Sequence, residues 1–191
     1  MLSKTIKKIK RKLGIVEMYT SETSKVRHLV IDYCSGNGCD IGFGGDKIKK
    51  TDCVGIDYAK PYAYTGKDKV DVPCDVMNEA IPLPPNTFDY VYTSHLIEDF
   101  VDTKSALVEF IRILKSGGNL ILVFPDQRLY EQYCEKTGQP VNIHHVHKEM
   151  GYRYMLEQID KIKEIEYKVE YSSNCEIDYN VVIVAKIKKL D

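Results

Sequence analysis

The sequence predicts a three-layer α/β sandwich, and three observations carry that prediction. Short apolar runs of strand length recur at Cys39–Gly42, Cys53–Asp57, Val70–Cys74, Phe88–Thr93 and Asn119–Phe124. Several are almost continuously apolar, as expected of strands covered on both faces of a parallel sheet. Helical stretches separate them, and the chain ends in two strand-like segments, about Ile162–Tyr171 and Tyr179–Ile187. The short connection between those two implies an antiparallel hairpin. Alternating strand and helix closed by a hairpin gives seven strands between two helical layers.

The elements follow in order. Residues 1–13 place Leu2, Ile6, Ile9 and Leu13 at helical spacing among six basic residues, a short amphipathic leader. It is expected to pack on the domain or fray; weak attachment to an anionic membrane surface is the alternative. Ser24 is the expected cap of a second helix through Val26, Leu29, Val30 and Tyr33, which stops at Ser35-Gly36-Asn37-Gly38. The clearest helix is Thr103–Leu114, with Ala106, Leu107, Phe110, Ile111 and Leu114 on one face and Gly117-Gly118 as its stop. The expected division is a helical leader over 1–35 and one α/β domain over 36–191.

Composition narrows the function classes. A chain of 191 residues suits one core, and 43% apolar with 29% charged residues is typical of globular proteins. The formal net charge of −1 provides no field for nucleic acid, so no nucleic-acid partner is expected. No stretch approaches the roughly 20 apolar residues that cross a bilayer, and the basic leader lacks the apolar core of a secretory signal. A cytoplasmic location without membrane insertion is the expectation. The six cysteines form no C-x-x-C pair and read as reduced, buried thiols.

The chemistry concentrates at the ends of the apolar runs. Asp40-Ile41-Gly42-Phe43-Gly44-Gly45 puts an acid at the end of the first strand and glycines in the turn that follows. A pyrophosphate at such a turn would be repelled by the acid, whereas a ligand with an ammonium and a sulfonium would be attracted. Asp40 therefore favours S-adenosylmethionine over a nicotinamide dinucleotide. Asp57 closes the second strand 17 residues later, where a carboxylate can accept two ribose hydroxyls. Asp75, after the third strand, can accept from an adenine amino group while the Val76 backbone meets the ring edge; capping a turn is its alternative role.

Together these blocks resemble class I S-adenosylmethionine-dependent methyltransferases, in particular the small type 11 group. The resemblance runs from about residue 36 to 126. It includes Asp40–Gly45, Gly55-Ile56-Asp57, Cys74-Asp75-Val76 with Ile81-Pro82-Leu83-Pro84, Phe88–Asp99, and Glu109–Gly118 with Leu120–Pro125. It implies a Rossmann-like, mostly parallel seven-stranded sheet and S-adenosylmethionine as cofactor. The implied cofactor contacts are Asp40, Gly42, Phe43, Gly44, Asp57, Tyr58, Asp75, Val76, Thr93 and Ser94. Two residues depart from the pattern: Phe43 stands where a small residue is usual and threatens to crowd the methionine end, and Ser116 replaces a proline.

Methyl transfer needs little machinery, because the sulfonium is already activated. His95, just after the fourth strand, is the candidate general base; orienting the cofactor or capping a helix are its alternatives. His144, His145 and His147 read as lining of a small-molecule acceptor pocket rather than as a metal site, and no metal is expected. A sugar-containing acceptor is included in that class. A non-catalytic S-adenosylmethionine-binding regulator is the competing reading.

Overall fold

The structure is a computed structural model that describes residues 21–61 and 66–190. The basic leader at 1–13 lies outside the described residues. Helix α1 is Glu22–Val30, followed by a 3-10 turn at Ile31–Tyr33. Strands β1 (Gly38–Ile41), β2 (Cys53–Asp57), β3 (Val72–Pro73) and β4 (Phe88–Ser94) come next, with a 3-10 turn at Ile97–Asp99. Then follow α2 (Thr103–Ile113), β5 (Leu114–Pro125), α3 (Gln127–Thr137), α4 (Tyr152–Asp160), β6 (Ile165–Ile177) and β7 (Asn180–Lys189).

The sheet has seven strands in the order β3-β2-β1-β4-β5-β7-β6. Strands β3 to β5 pair in parallel, and β7 pairs antiparallel with both β5 and β6. The expected mostly parallel sheet with a terminal hairpin is the observed one. Because alternate residues of a strand face opposite sides, β4 sends Tyr90 and Tyr92 to one core and Val91 to the other. Helix α1 covers the first face through the fully buried Val26 and Val30. Helices α2 and α4 cover the second through Leu107, Phe110, Met155 and Ile159. Five of the six cysteines are buried, Cys175 is half-buried, and all are free thiols.

Three boundaries differ from the sequence reading, each for a local reason. The cap of α1 is Ser21, not Ser24: Ser21 Oγ accepts from the Ser24 amide at 3.0 Å, while Ser24 Oγ accepts from the Ser21 amide at 3.1 Å. This reciprocal pair satisfies two amides that the helix itself leaves open. Strand β3 shrinks to two residues at the sheet edge, where Pro73 has no N–H to extend a ladder. The Gly117-Gly118 stop lies inside β5 rather than between elements. Phe88 pairs with Leu114 and Tyr90 with Asn119, so the intervening residues bulge out, with Gly117 at φ +82°. Helix α3, which the sequence does not mark, carries only two buried side chains, Gln127 and Cys134.

Candidate active site

Sheet order reverses at β1: the chain runs outward to β2 and β3, then returns to place β4 on the other side. Ligands of open α/β sheets bind beyond the carboxyl ends of the strands at such a reversal. A cleft of about 170 Å³ lies there. Its floor is the Gly42-Phe43-Gly44 turn; Asp57, Tyr58, Cys74, Val76 and Met77 form one side, and Ser94, His95 and Leu96 the other. The first turn of α1, Ser21–Thr23, completes the wall. Arg27 ties α1 to this edge by donating to Asp46 Oδ1 at 2.8 Å and to the carbonyl oxygens of Lys47 and Ile48.

The turn adopts left-handed backbone at Gly42 (φ +70°) and Gly44 (φ +54°), a region other residues enter at a cost. Gly44 N–H donates to Asp57 Oδ2 at 2.9 Å, and Tyr58 N–H donates to Oδ1 at 2.7 Å. Each carboxylate oxygen keeps a further lone pair, so two ribose hydroxyls still find acceptors. Burial raises the Asp57 pKa, against these two amides. Phe43 does not crowd the cleft. Its ring lies on Gly55 of β2, so close that a Cβ there would meet Phe43 Cε1 at 2.6 Å.

Three of the anticipated cofactor contacts sit elsewhere. Asp40 is fully buried beneath the turn and does not line the cleft; its Oδ2 accepts from the Ile48 amide at 2.7 Å. Burial pushes its pKa well above the carboxylate range. The electrostatic case for a cationic ligand passes to Asp57 and Glu22, which do line the cleft. Thr93 is fully buried and donates to the Ile41 carbonyl at 3.0 Å, clipping β4 to β1. Asp75 is half-buried behind the rim, accepting from Tyr58 Oη at 3.0 Å and from the Met77 amide at 3.2 Å. Gly42, Phe43, Gly44, Asp57, Tyr58, Val76, Ser94 and His95 are brought together. Ser94 lines the cleft as a residue, while its Oγ is sealed from solvent and makes no conventional hydrogen bond among the described residues.

His95 Nε2 is hydrogen-bonded to Asn180 Oδ1 at 2.6 Å, and Nδ1 stands at an ion-pair distance, 3.3 Å, from Glu98 Oε1. Burial alone would lower its pKa, but Glu98, Glu22 and Asn180 outweigh burial and raise it to about 9. A ring so biased toward its protonated form is a poor proton acceptor, which counts against the general-base role. The three clustered histidines diverge. His145 Nδ1 meets Gln127 Oε1 at 2.8 Å, His147 Nε2 meets the Phe100 carbonyl at 2.7 Å, and His144 is exposed. Among the described residues, no group of three or more His, Cys, Asp or Glu is arranged to hold a metal. None of their helices is long and apolar enough to cross a membrane.

Ser21, Glu22, Thr23 and Asn180 were not singled out from sequence. Glu22 and Asn180 join the site only through the fold, 158 positions apart, with Asn180 Nδ2 donating to Glu22 Oε2 at 3.2 Å.

Comparison with known proteins agrees with this arrangement. The family model described as "methyltransferase domain" matches residues 24–122, just over half of the chain. A ubiquinone/menaquinone biosynthesis C-methyltransferase of Geobacter sulfurreducens is 33% identical over a match covering 41% of this chain and 35% of that one. The corresponding Pasteurella multocida protein is 34% identical, covering 42% and 33%. The chain thus spans about a third of the length of these curated relatives. Among solved structures, an S-adenosylmethionine-dependent methyltransferase of Thermotoga maritima superposes with a TM-score of 0.62 at 20% identity, covering 97% of both chains. One from Mesorhizobium loti gives 0.61 at 11% identity, covering 87% of this chain and 98% of that one. At these identities the structures show the fold alone. With the family match and the cleft together, the chain belongs to the class I S-adenosylmethionine-dependent methyltransferases.

Proposed function

We propose that the protein transfers the methyl group of S-adenosylmethionine to a small-molecule acceptor, sugar-containing acceptors included. The observation that carries this reading is the cleft itself. Asp57 retains acceptor capacity for a ribose, and Tyr58, Val76 and Met77 offer a mostly apolar wall for a base. When bound, S-adenosylmethionine supplies an activated methyl group on a cationic sulfur. The protein's part is to orient and to exclude water, through the Gly42–Gly44 turn, Leu96 and the first turn of α1.

With Nε2 on Asn180 Oδ1, Nδ1 facing Glu98 and a pKa raised to about 9, His95 is poorly placed to accept a proton at attack. This favours an acceptor that attacks without a base, such as a neutral amine or a thiolate. The quinone-biosynthesis relatives are named as C-methyltransferases, but their match covers less than half of this chain.

Calorimetry with S-adenosylmethionine and with NAD is the first test; saturable binding of the former and none of the latter is expected. Equal or preferential binding of NAD overturns the cofactor reading. Labelled methyl transfer across a panel of amines, thiols, phenols and sugars tests turnover. Cofactor binding with no transfer to any of them supports the non-catalytic alternative.

A further inference from the structure

His95 joins three separate elements at the cleft. It follows β4 with left-handed backbone, φ +53°, a conformation uncommon outside glycine and asparagine. Its Nε2 faces Asn180 of β7 and lies 3.7 Å from Glu22 Oε2 of α1; its Nδ1 faces Glu98 of the 3-10 turn. The protonation state follows from the partners. Asn180 spends its Nδ2 on Glu22, so Oδ1 is the atom turned to His95, and Nε2 must donate. Nδ1 lies 3.3 Å from Glu98 Oε1 and Nε2 3.7 Å from Glu22 Oε2, and two carboxylates at ion-pair distance favour the imidazolium.

Glu98 explains why that charge is required. It is 1% exposed, and neither carboxylate oxygen has a conventional hydrogen bond among the described residues. Its close cationic neighbour is His95; His145 Nε2, at 3.7 Å, belongs to a ring whose pKa burial lowers. A buried carboxylate without a counter-charge is strongly disfavoured.

We propose that Glu98 is a positioning residue that keeps His95 charged, and that charged His95 in turn draws Glu22, with the first turn of α1, onto the cleft as its wall. This rests on the reading of the cleft as the cofactor site. The remaining groups that face the pair fit. Lys25 also balances Glu22 at 2.8 Å and Arg27 holds α1 to Asp46, so removing the His95 charge should leave α1 folded and shift only its first turn. Tyr179 meets the His95 ring edge-on. Asp99, beside Glu98, is held toward its neutral form by burial and by the Glu98 charge, so it adds little competing negative charge near neutrality.

The test is a histidine titration by NMR on the full chain without cofactor, paired with S-adenosylmethionine calorimetry at several pH values. In the unmodified protein His95 should stay charged beyond pH 8. Glu98→Gln keeps the shape and should lower the His95 midpoint by about one pH unit or more, weakening cofactor binding roughly tenfold near pH 8 and much less near pH 6. His95→Asn, which tolerates the left-handed backbone, should weaken binding at every pH. A His95 midpoint near 6.5 in the unmodified protein overturns the proposal, as does a Glu98→Gln defect that is the same at all pH values. Should Glu98→Gln fail to fold, Glu22→Gln on the cleft wall gives the same decision: a lowered His95 midpoint with pH-dependent loss of binding, or neither. If the unmodified protein binds no S-adenosylmethionine, the cofactor reading fails, and the titration still decides the Glu98–His95 pair.

Discussion

Gly55 is the position where a single methyl group has the most to say about the cleft floor. A Cβ built there lies 2.6 Å from Phe43 Cε1, 2.8 Å from Phe43 Cζ and 3.0 Å from Lys47 Cδ. Carbon pairs rest at about 3.5–4.0 Å, so the ring must withdraw by about 1 Å. Lys47 cannot yield easily, because its Nζ is held by Asp71 at 2.8 Å and the Cys53 carbonyl at 3.2 Å. Nor can β2, whose Gly55 amide donates to Asp71 at 2.7 Å. The ring therefore moves toward the cleft. Overpacking of this kind costs about 1–3 kcal/mol, or a fall of roughly 2–10 °C in melting temperature for a chain of this size. Gly55→Ala should also weaken S-adenosylmethionine binding, since the displaced ring enters the floor. Thermal unfolding and calorimetry read the two effects. The decisive comparison is the double variant with Phe43→Ala, which vacates the space the new methyl needs; it should lose less than the sum of the single losses by about 1 kcal/mol or more. Unchanged melting with Gly55→Ala, or strict additivity in the double variant, refutes the packing argument.

Asp57→Ala should raise the S-adenosylmethionine dissociation constant by some tens of times, about 2 kcal/mol for a charged acceptor of two hydroxyls; an unchanged constant by calorimetry removes Asp57 from the site. Arg112 donates to the Ile81 and Leu83 carbonyls, each at 2.8 Å, and pairs with Glu109, so Arg112→Lys should lower stability by about 1–2 kcal/mol in a denaturant titration, because an ammonium cannot reproduce the fork. His95 has a folded pKa of about 9 against an ordinary value near 6.5, so its contribution is fully present below pH 6.5 and is lost as pH rises through 9. That is on the order of 3 kcal/mol, and His95→Asn should flatten the decline of melting temperature over this window.

Where local pattern and fold agree, the sequence was readable. Cys53–Asp57 and Phe88–Thr93 are apolar runs that become β2 and most of β4, and the terminal segments pair as expected. The Gly42–Gly44 turn and the place of Asp57 on the cleft were visible because glycines after one apolar run and an acid closing the next are local sequence features. Helix α3 was not: its apolar stripe is thin, and its ends are set by Asp126 and Gly138 rather than by a buried face. The Gly117 bulge was hidden because a glycine pair marks a helix stop and a strand irregularity equally well. The α1 wall of the cleft was illegible for a different reason. Glu22 is an ordinary first-turn acid until β7 brings Asn180, and β4 brings His95, to within reach of it. No spacing rule contains a pair 158 positions apart.

Asp40 offers the sharpest separation between a residue that shapes a site and one that touches a ligand. Its place at the end of β1 argues for contact with a cationic cofactor, yet the side chain is sealed under the turn. Its Oδ2 is committed to the Ile48 amide, and Oδ1 has no partner among the described residues. Burial comes first among the causes that raise its pKa, the charges of Asp46 and Asp57 add to it, and the Ile48 amide opposes them. A carboxyl in that position is biased toward its neutral form and fits the part of a hydrogen-bonding spacer. Asparagine preserves the acceptor and the volume, so Asp40→Asn should hold stability and S-adenosylmethionine affinity within about 1 kcal/mol of the unmodified protein. Asp40→Ala should instead strand the Ile48 amide and open a small void, costing about 1–3 kcal/mol of stability, with affinity falling only as the turn loosens. If Asp40 were an ionised contact, the order would reverse: Asp40→Asn would lose affinity as steeply as Asp57→Ala while melting normally. Unfolding and calorimetry on the two variants distinguish these cases, because a spacer loses stability first and a contact loses affinity first.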